Sequence, residues 1–320
     1  MNNKKKTVEY GKYGYLFLAP FFIVFLIFQF YPLLYTFYSS FFYKEATGRG
    51  NATVVFGLGN YTNYVFGDKA NGEIFSAIAI TIILWLLNFI PQILMSLLLA
   101  AWFTDLQCKL RGEGAYKVIM YMPNIITAAT IAVLFFNLFD VHGGVTYLLK
   151  VLHIVTEDQA KNLLTQGWFS LGLIAFIQFW MWYGNTMIVL IAGIMGISPS
   201  LYEAAMVDGA SPRQQFFYIT LPLLKPILQF TLVTSAIGGL QMYDIPQLFN
   251  LGKPLVEFHG KKVLSTQTVV MLIKQFAAET TAKDHGRAAA YSVILFFITL
   301  AVSMVFYVAT SEKKPKKESK

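Results

Sequence analysis

Six stretches of this chain, residues 14–40, 74–103, 118–139, 168–195, 226–243 and 288–309, contain no Asp, Glu, Lys or Arg. Each is long enough to cross the hydrocarbon core of a bilayer as a helix, which takes about 20 residues. Lipid offers no water to backbone amides, so an apolar run of this kind must close its hydrogen bonds within itself. The expected fold is therefore all-α and integral to the membrane, with six transmembrane helices. Composition agrees: 56% of residues are hydrophobic and 13% charged, where soluble domains carry about a quarter charged residues. Pro32, Pro91 and Pro123 fall inside spans, where neighbouring helices can satisfy the backbone groups they free. The first run lacks the short apolar core and small-residue cleavage site of a signal peptide and reads as the first span. The single cysteine, Cys108, cannot form an intrachain disulfide.

The net charge of +8 does not point to nucleic acid, because lysines concentrate in the tails, at Lys4 to Lys6 and between Lys313 and Lys320. Lysines beside spans anchor topology at the anionic inner leaflet. The chain thus divides into a cytoplasmic tail over 1–13, a six-helix transmembrane domain over 14–310 and a charged cytoplasmic tail over 311–320. With both termini inside, the cytoplasmic side holds 14 Lys and Arg residues and the outer side 11. The outer connections are 41–73, 140–167 and 244–287. The last carries Val269, Leu272, Ile273 and Phe276 as an apolar stripe on a short helix, expected to pack on the bundle or lie on the outer surface. His142, His153, His259 and His285 all fall in outer connections and are assigned no role.

The chain has no Gly-x4-Gly-Lys-Ser/Thr phosphate loop, no His-Glu-x-x-His, no paired cysteines and no Gly-x-Ser-x-Gly. It is expected to be a non-catalytic membrane subunit that holds no metal or cofactor itself. Ion-coupled carriers place acidic, basic or histidine side chains inside their spans, and these spans have none. That weighs against a secondary transporter or channel for a small polar solute, the alternative class.

Between the fourth and fifth spans lies a polar interruption, LYEAAMVDGASPRQQFFYITLPLLKP, from Leu201 to Pro226. Glu203, Asp208 and Arg213 would be costly in lipid, so this segment faces water. It reads as a short helix ending at Gly209, a turn around Ser211-Pro212-Arg213, and a second helix entering at Ile219-Thr220-Leu221-Pro222. Glu203-Ala204-Ala205, three residues, Gly209, nine residues and Ile219-x-Leu221-Pro222 resemble the EAA signature of ABC importer permeases. Tyr31-Pro32, the run Phe56-Gly57-Leu58-Gly59-Asn60-Tyr61, Gln241-Met242-Tyr243-Asp244 and Gly286-Arg287-Ala288-Ala289-Ala290 resemble the carbohydrate branch of that family, the maltose-permease-like subunits, in order along nearly the whole chain. Arg287 stands where relatives frequently carry an aromatic residue.

The resemblance implies a subunit of a binding-protein-dependent sugar importer in a bacterial cell membrane, working by alternating access. Its partners would be a second homologous permease, two cytoplasmic ATPase subunits that carry ATP and Mg, an extracytoplasmic solute-binding protein and the carbohydrate. The loop over about 200–226 would dock on the ATPase through Glu203, Ala204, Ala205, Asp208, Gly209, Ile219, Leu221 and Pro222. Gln178, Trp182 and Asn185 share one face of the fourth span by spacing alone. An aromatic ring and two amides suit a sugar's C–H surface and hydroxyls, although amides in spans also serve as helix-to-helix bonds. Family matching implies a sugar path from Met181 and those three, with Asn124 and Ala128 of the third span and Ser235, Gly239 and Met242 of the fifth. Gln241 and Asp244 join them on polarity.

Overall fold

The computed structural model describes residues 11–47, 51–67, 72–105, 111–252, 254–258, 261–279 and 283–311. Cys108, His259, Lys109, Lys253 and the tail lysines lie outside the described residues. In chain order, α1 (Gly11–Phe25) runs through a π-helical turn, Leu26–Phe30, into α2 (Tyr31–Ser39). A hairpin of β1 (Phe42–Thr47) and β2 (Asn51–Phe56) precedes α3 (Glu73–Phe103), α4 (Glu113–Ile125) and α5 (Ala128–Phe139). Then come α6 (Gly144–Val151), α7 (Glu157–Lys161), α8 (Gly167–Met195) and α9 (Pro199–Val207). They are followed by α10 (Pro212–Gln215), α11 (Leu221–Leu223), α12 (Lys225–Leu240) and α13 (Asp244–Asn250). A second hairpin, β3 (Leu255–Phe258) with β4 (Lys261–Leu264), leads to α14 (Val269–Lys274) and α15 (His285–Thr310). The helical class holds, with two short antiparallel hairpins in the connections 41–73 and 244–287 that the apolar runs do not announce.

Among the described residues, five helical runs are long and apolar enough to cross a membrane, and a sixth forms if one bent pair counts as a span. The third crossing corrects the sequence expectation. The stretch 118–139 is two helices, with Ile126 and Thr127 both extended (ψ 138° and 146°), and the run that is long and apolar enough is Ala128–Val151, which joins α5 and α6 through extended Asp140 and Gly143. Thr127 causes the restart: its hydroxyl accepts from Thr130 N at 3.3 Å and so caps α5. The bent pair is Pro212–Leu223 with Lys225–Asn250, meeting at 65°. Pro222 and Pro226 each remove an N–H from the helical ladder around Leu224.

The chain groups into two compact units, residues 1–71 with 275–294, and 72–274 with 295–320. In the first, three separated segments of the sequence converge. Asn60, fully buried, donates to the carbonyls of Ser40 and Phe42 at 2.9 Å each, and the Tyr61 hydroxyl donates to Ser40 Oγ at 2.8 Å. Gly286 meets Phe42 so closely that a Cβ there would lie 1.7 Å from its carbonyl oxygen. The Arg287 guanidinium sits 3.9 Å from the Phe276 ring centroid and 4.3 Å from that of Tyr64, and its Nε donates to the Tyr291 hydroxyl at 3.0 Å. A cation among aromatic faces is attracted by their quadrupoles, which accounts for arginine at this position.

In the second unit α3 packs along α8, and α4 crosses α8. The buried positions of α3 recur at helical spacing: Ile80, Leu84, Asn88, Gln92, Ser96 and Leu99 form one stripe. Lipid is as apolar as leucine, so helices associate in it through close packing and interhelical hydrogen bonds. Both are present here. Gln92 Nε2 donates to Thr186 Oγ1 and Ser96 Oγ to the Tyr183 carbonyl, each at 2.7 Å. Gly184 lets α4 approach until a Cβ would lie 2.2 Å from the Met120 carbonyl oxygen. The stripe on α14 turns inward: Val269 and Leu272 are buried, and Val269 N donates to Thr81 Oγ1 at 3.1 Å.

Candidate functional site

A cavity of about 650 Å³ opens among α3, α8, α12 and the Gln241 to Ile245 segment. Ten of the residues singled out from sequence line it: Ala128, Gln178, Met181, Trp182, Asn185, Ser235, Gly239, Gln241, Met242 and Asp244. The eleventh, Asn124, is placed elsewhere. Its Nδ2 donates to the Met181 carbonyl at 3.2 Å, a bond between α4 and α8. On α8, one helical turn separates Gln178 from Trp182 and another brings Asn185 round, so all three reach one space.

The wall contributed by α3, namely Trp85, Asn88 and Gln92, escaped the sequence reading. Its signal was present as two amides four residues apart in an otherwise apolar span. Trp85 lies on Gly239, where a Cβ would come within 2.0 Å of the indole ring, and its Nε1 donates to Ser235 Oγ at 3.2 Å. Gly239 therefore seats an aromatic wall residue. Among the described residues, Asp244 is the one charged side chain of the lining.

The polar loop forms a compact helix–turn–helix. Helix α9 closes on Gly209 at φ +77°, with Ala210 N donating to the Ala205 carbonyl at 2.8 Å and Gly209 N to the Met206 carbonyl at 3.1 Å. That is the Schellman pattern, which requires a left-handed residue at the helix end. Ser211 then caps α10: its Oγ accepts from Gln214 N at 3.3 Å while its own N–H donates to Gln214 Oε1 at 2.8 Å. The second helix thus begins at Pro212, seven residues before the expected entry at Ile219. Buried Gln215 donates to the Ala210 carbonyl at 3.1 Å, and the hydroxyls of Tyr202 and Thr220 lie 2.9 Å apart, tying the two arms together. Glu203, Ala204, Asp208 and Gly209 are exposed, Ala205 is half-buried, and Val207 is 89% exposed. Ile219 and Leu221 are half-buried and Pro222 is exposed.

A second cavity, about 670 Å³, lies behind this loop, walled by Trp102, Phe103, Tyr202, Gln215 and Phe216 and by the Glu113–Lys117 ion pair. Among the described residues, no group of three His, Cys, Asp or Glu side chains gathers to hold a metal.

Residues 109–317 match the family model described as "Binding-protein-dependent transport system inner membrane component". The lactose transport system permease protein LacF of Rhizobium radiobacter is 29% identical over 95% of this chain and 96% of its own length. The arabinooligosaccharides transport system permease protein AraP of Bacillus subtilis is 27% identical over 91% of this chain and 86% of its own. Among solved structures, a chain of a bacterial alginate ABC transporter, crystallised with an alginate pentasaccharide-bound periplasmic protein, superposes with a TM-score of 0.71. It shares 20% identity over 95% of this chain and 96% of that one. The long apolar helices and these matches together assign the chain: it belongs to the binding-protein-dependent transport system inner membrane components, the multi-pass permease subunits of ABC importers.

Proposed function

We propose that this subunit conducts a carbohydrate across the membrane by alternating access, using the cavity lined by α3, α8 and α12. The observation that carries the reading is the convergence of Trp182, Gln178 and Asn185 with Trp85, Ser235 and Gln241 around one space large enough for a sugar. Indole faces cover sugar C–H surfaces, and amides and hydroxyls exchange hydrogen bonds with ring hydroxyls. Relatives named for lactose and arabinooligosaccharide transport support the substrate class.

A second permease completes the path, an extracytoplasmic binding protein delivers the sugar, and two ATPase subunits hold ATP and Mg. The loop from Pro199 to Thr220 docks on the ATPase and couples its closure to the exchange between two conformations of the path. This chain performs no chemistry of its own. Both termini and the loop face the cytoplasm.

Trp182→Ala and Asn185→Ala are expected to reduce uptake about tenfold each, equivalent to roughly 1.4 kcal/mol, with unchanged amounts of assembled complex. Uptake would be measured with the sugar that the associated binding protein retains from a panel, and complex by immunoblot of membranes. Wild-type uptake in both variants would remove the cavity from the path. Orientation is tested separately in a Cys108→Ser background. Cysteine at Ser211 should stay unlabelled by an impermeant thiol reagent on intact cells and cysteine at Lys262 should label; the reverse pattern would invert the topology.

A further inference from the structure

The cavity does not end at its own lining. Two further hollows, of about 590 and 600 Å³, adjoin it in series: the first shares Tyr243 and Asp244 with the cavity, and the second shares Phe136 and Asn250 with the first. Helix α13 runs along the first hollow. It turns Ile245, Pro246 and Phe249 inward, while Asp244, Gln247, Leu248 and Leu251, at i, i+3, i+4 and i+7, mark its open face. From Asp244 to Leu251 that face extends about 10 Å at helical rise. Tyr243 is held at the junction with the cavity, where the Lys274 ammonium donates to its hydroxyl and lies 4.7 Å from its ring centroid.

The side chains along this track repeat a pairing found in the cavity. There the Trp182 indole accompanies the amides of Gln178 and Asn185, which make no hydrogen bond to any described residue. The first hollow brings Tyr243 and the exposed Phe136 ring together with Gln247, whose amide likewise has no partner among the described residues. In the second, Phe136 and Phe139 share the wall with the Asp140 carboxylate and the Lys161 ammonium. Each ring of a linear oligosaccharide presents the same two features, an apolar C–H surface and a rim of hydroxyls. A wall that places aromatic rings beside free polar groups at successive positions is suited to one such ring after another. Once the first ring is seated, the next meets its own subsite as an intramolecular event, so a further subsite raises affinity without any change in the first.

We propose that the hollow along α13 is a second carbohydrate subsite, with Gln247, Tyr243 and Phe136 as its contacts, which receives the next ring of a linear oligosaccharide whose first ring lies in the cavity. The inference rests on the cavity being the sugar path and adds to it a selection for chain length. The test uses the purified complex of this chain with its second permease and ATPase, without the binding protein, so that delivery does not bias the result. Calorimetry measures binding of probes of one, two and four rings in the arabinose, galactose and glucose series. In the series that binds, the two-ring probe should bind at least about tenfold tighter than the single ring. Gln247→Ala and Phe136→Leu should each shrink that ratio at least about threefold, whereas Trp182→Ala should weaken every length alike. Equal affinity at all lengths in the wild-type complex overturns the subsite while leaving the sugar path standing. A ratio unchanged in both Gln247→Ala and Phe136→Leu overturns its assignment to this hollow. Loss of the second permease from the Gln247→Ala preparation would make the hollow an interface between subunits and overturn the subsite as well. Binding of no probe in any series, or full affinity in Trp182→Ala, overturns the carbohydrate reading of the cavity, and the subsite with it.

Discussion

Gly209→Val is expected to lower uptake at least tenfold and to abolish substrate-stimulated ATP hydrolysis, while the membrane level of the chain stays normal. Nothing lies within 4 Å of a Cβ built on Gly209, so the defect is not a clash. It arises from the backbone. At φ +77° a β-branched residue is a conformational outlier, and the left-handed state costs ordinary residues about 1–2 kcal/mol. Losing it unlocks the bonds from Ala210 to Ala205 and from Gly209 to Met206, and α9 no longer holds its angle to α10. A loop whose two arms are fixed by the Tyr202–Thr220 and Gln215–Ala210 bonds can transmit displacement; an unlocked one cannot. Gly209→Asn separates this cause from others, because asparagine tolerates the left-handed region. It should retain most of the activity. Copurification of the ATPase and hydrolysis in proteoliposomes measure both variants, and wild-type values for Gly209→Val would leave the loop a mere linker.

Gly184→Val should have the largest effect on the protein itself. An added Cβ would stand 2.2 Å from the Met120 carbonyl oxygen and 2.9 Å from Tyr121 Cα, and both are backbone atoms that cannot rotate away. Relief requires α4 to move off α8, which stretches the Asn124 to Met181 bond close to the crossing. Overpacking of this kind costs about 3 kcal/mol or more. The expected result is a sharply lower melting temperature in detergent and little mature protein in membranes. Gly172→Val provides the comparison on the same helix, since nothing lies within 4 Å of a Cβ there. It should accumulate normally; equal loss in both variants would mean that any glycine replacement on α8 is harmful and that the crossing is not special.

Much of this architecture is legible without coordinates, for identifiable reasons. Charge is so costly in lipid that its absence marks the spans, and the i, i+4, i+7 spacing of Gln178, Trp182 and Asn185 puts them on one face whatever surrounds them. The break at Ile126 and Thr127 is invisible because neither residue is a glycine or proline and both are apolar enough to continue the run. Asn124 illustrates a different limit. An amide in a span can face a cavity or bond a neighbouring helix, and only the position of Met181 decides between them. Trp85, Asn88 and Gln92 were hidden because α3 is apolar on nearly every face, so periodicity does not say which side meets α12. The hairpins in the connections 41–73 and 244–287 are too short to show an alternating pattern against loop composition.

The 65° bend at Leu224 gives the chain the geometry of a crank. One arm, starting at Pro212, belongs to the loop. The other, α12, carries Thr231, Ser235 and Gly239 into the cavity wall. Leu224 itself is fully buried, and a Cβ on Gly193 would lie 2.7 Å from its side chain, so the elbow is seated in a bearing formed by α8. Ser235 stands ten residues beyond Lys225, an arm of about 15 Å at helical rise. Turning that arm by about 10° carries Ser235 through roughly 2.6 Å, close to the diameter of a water molecule. Small rotations at the base of such an elbow are therefore enough to make or break a hydrogen bond at the wall, with no hinge in the wall itself.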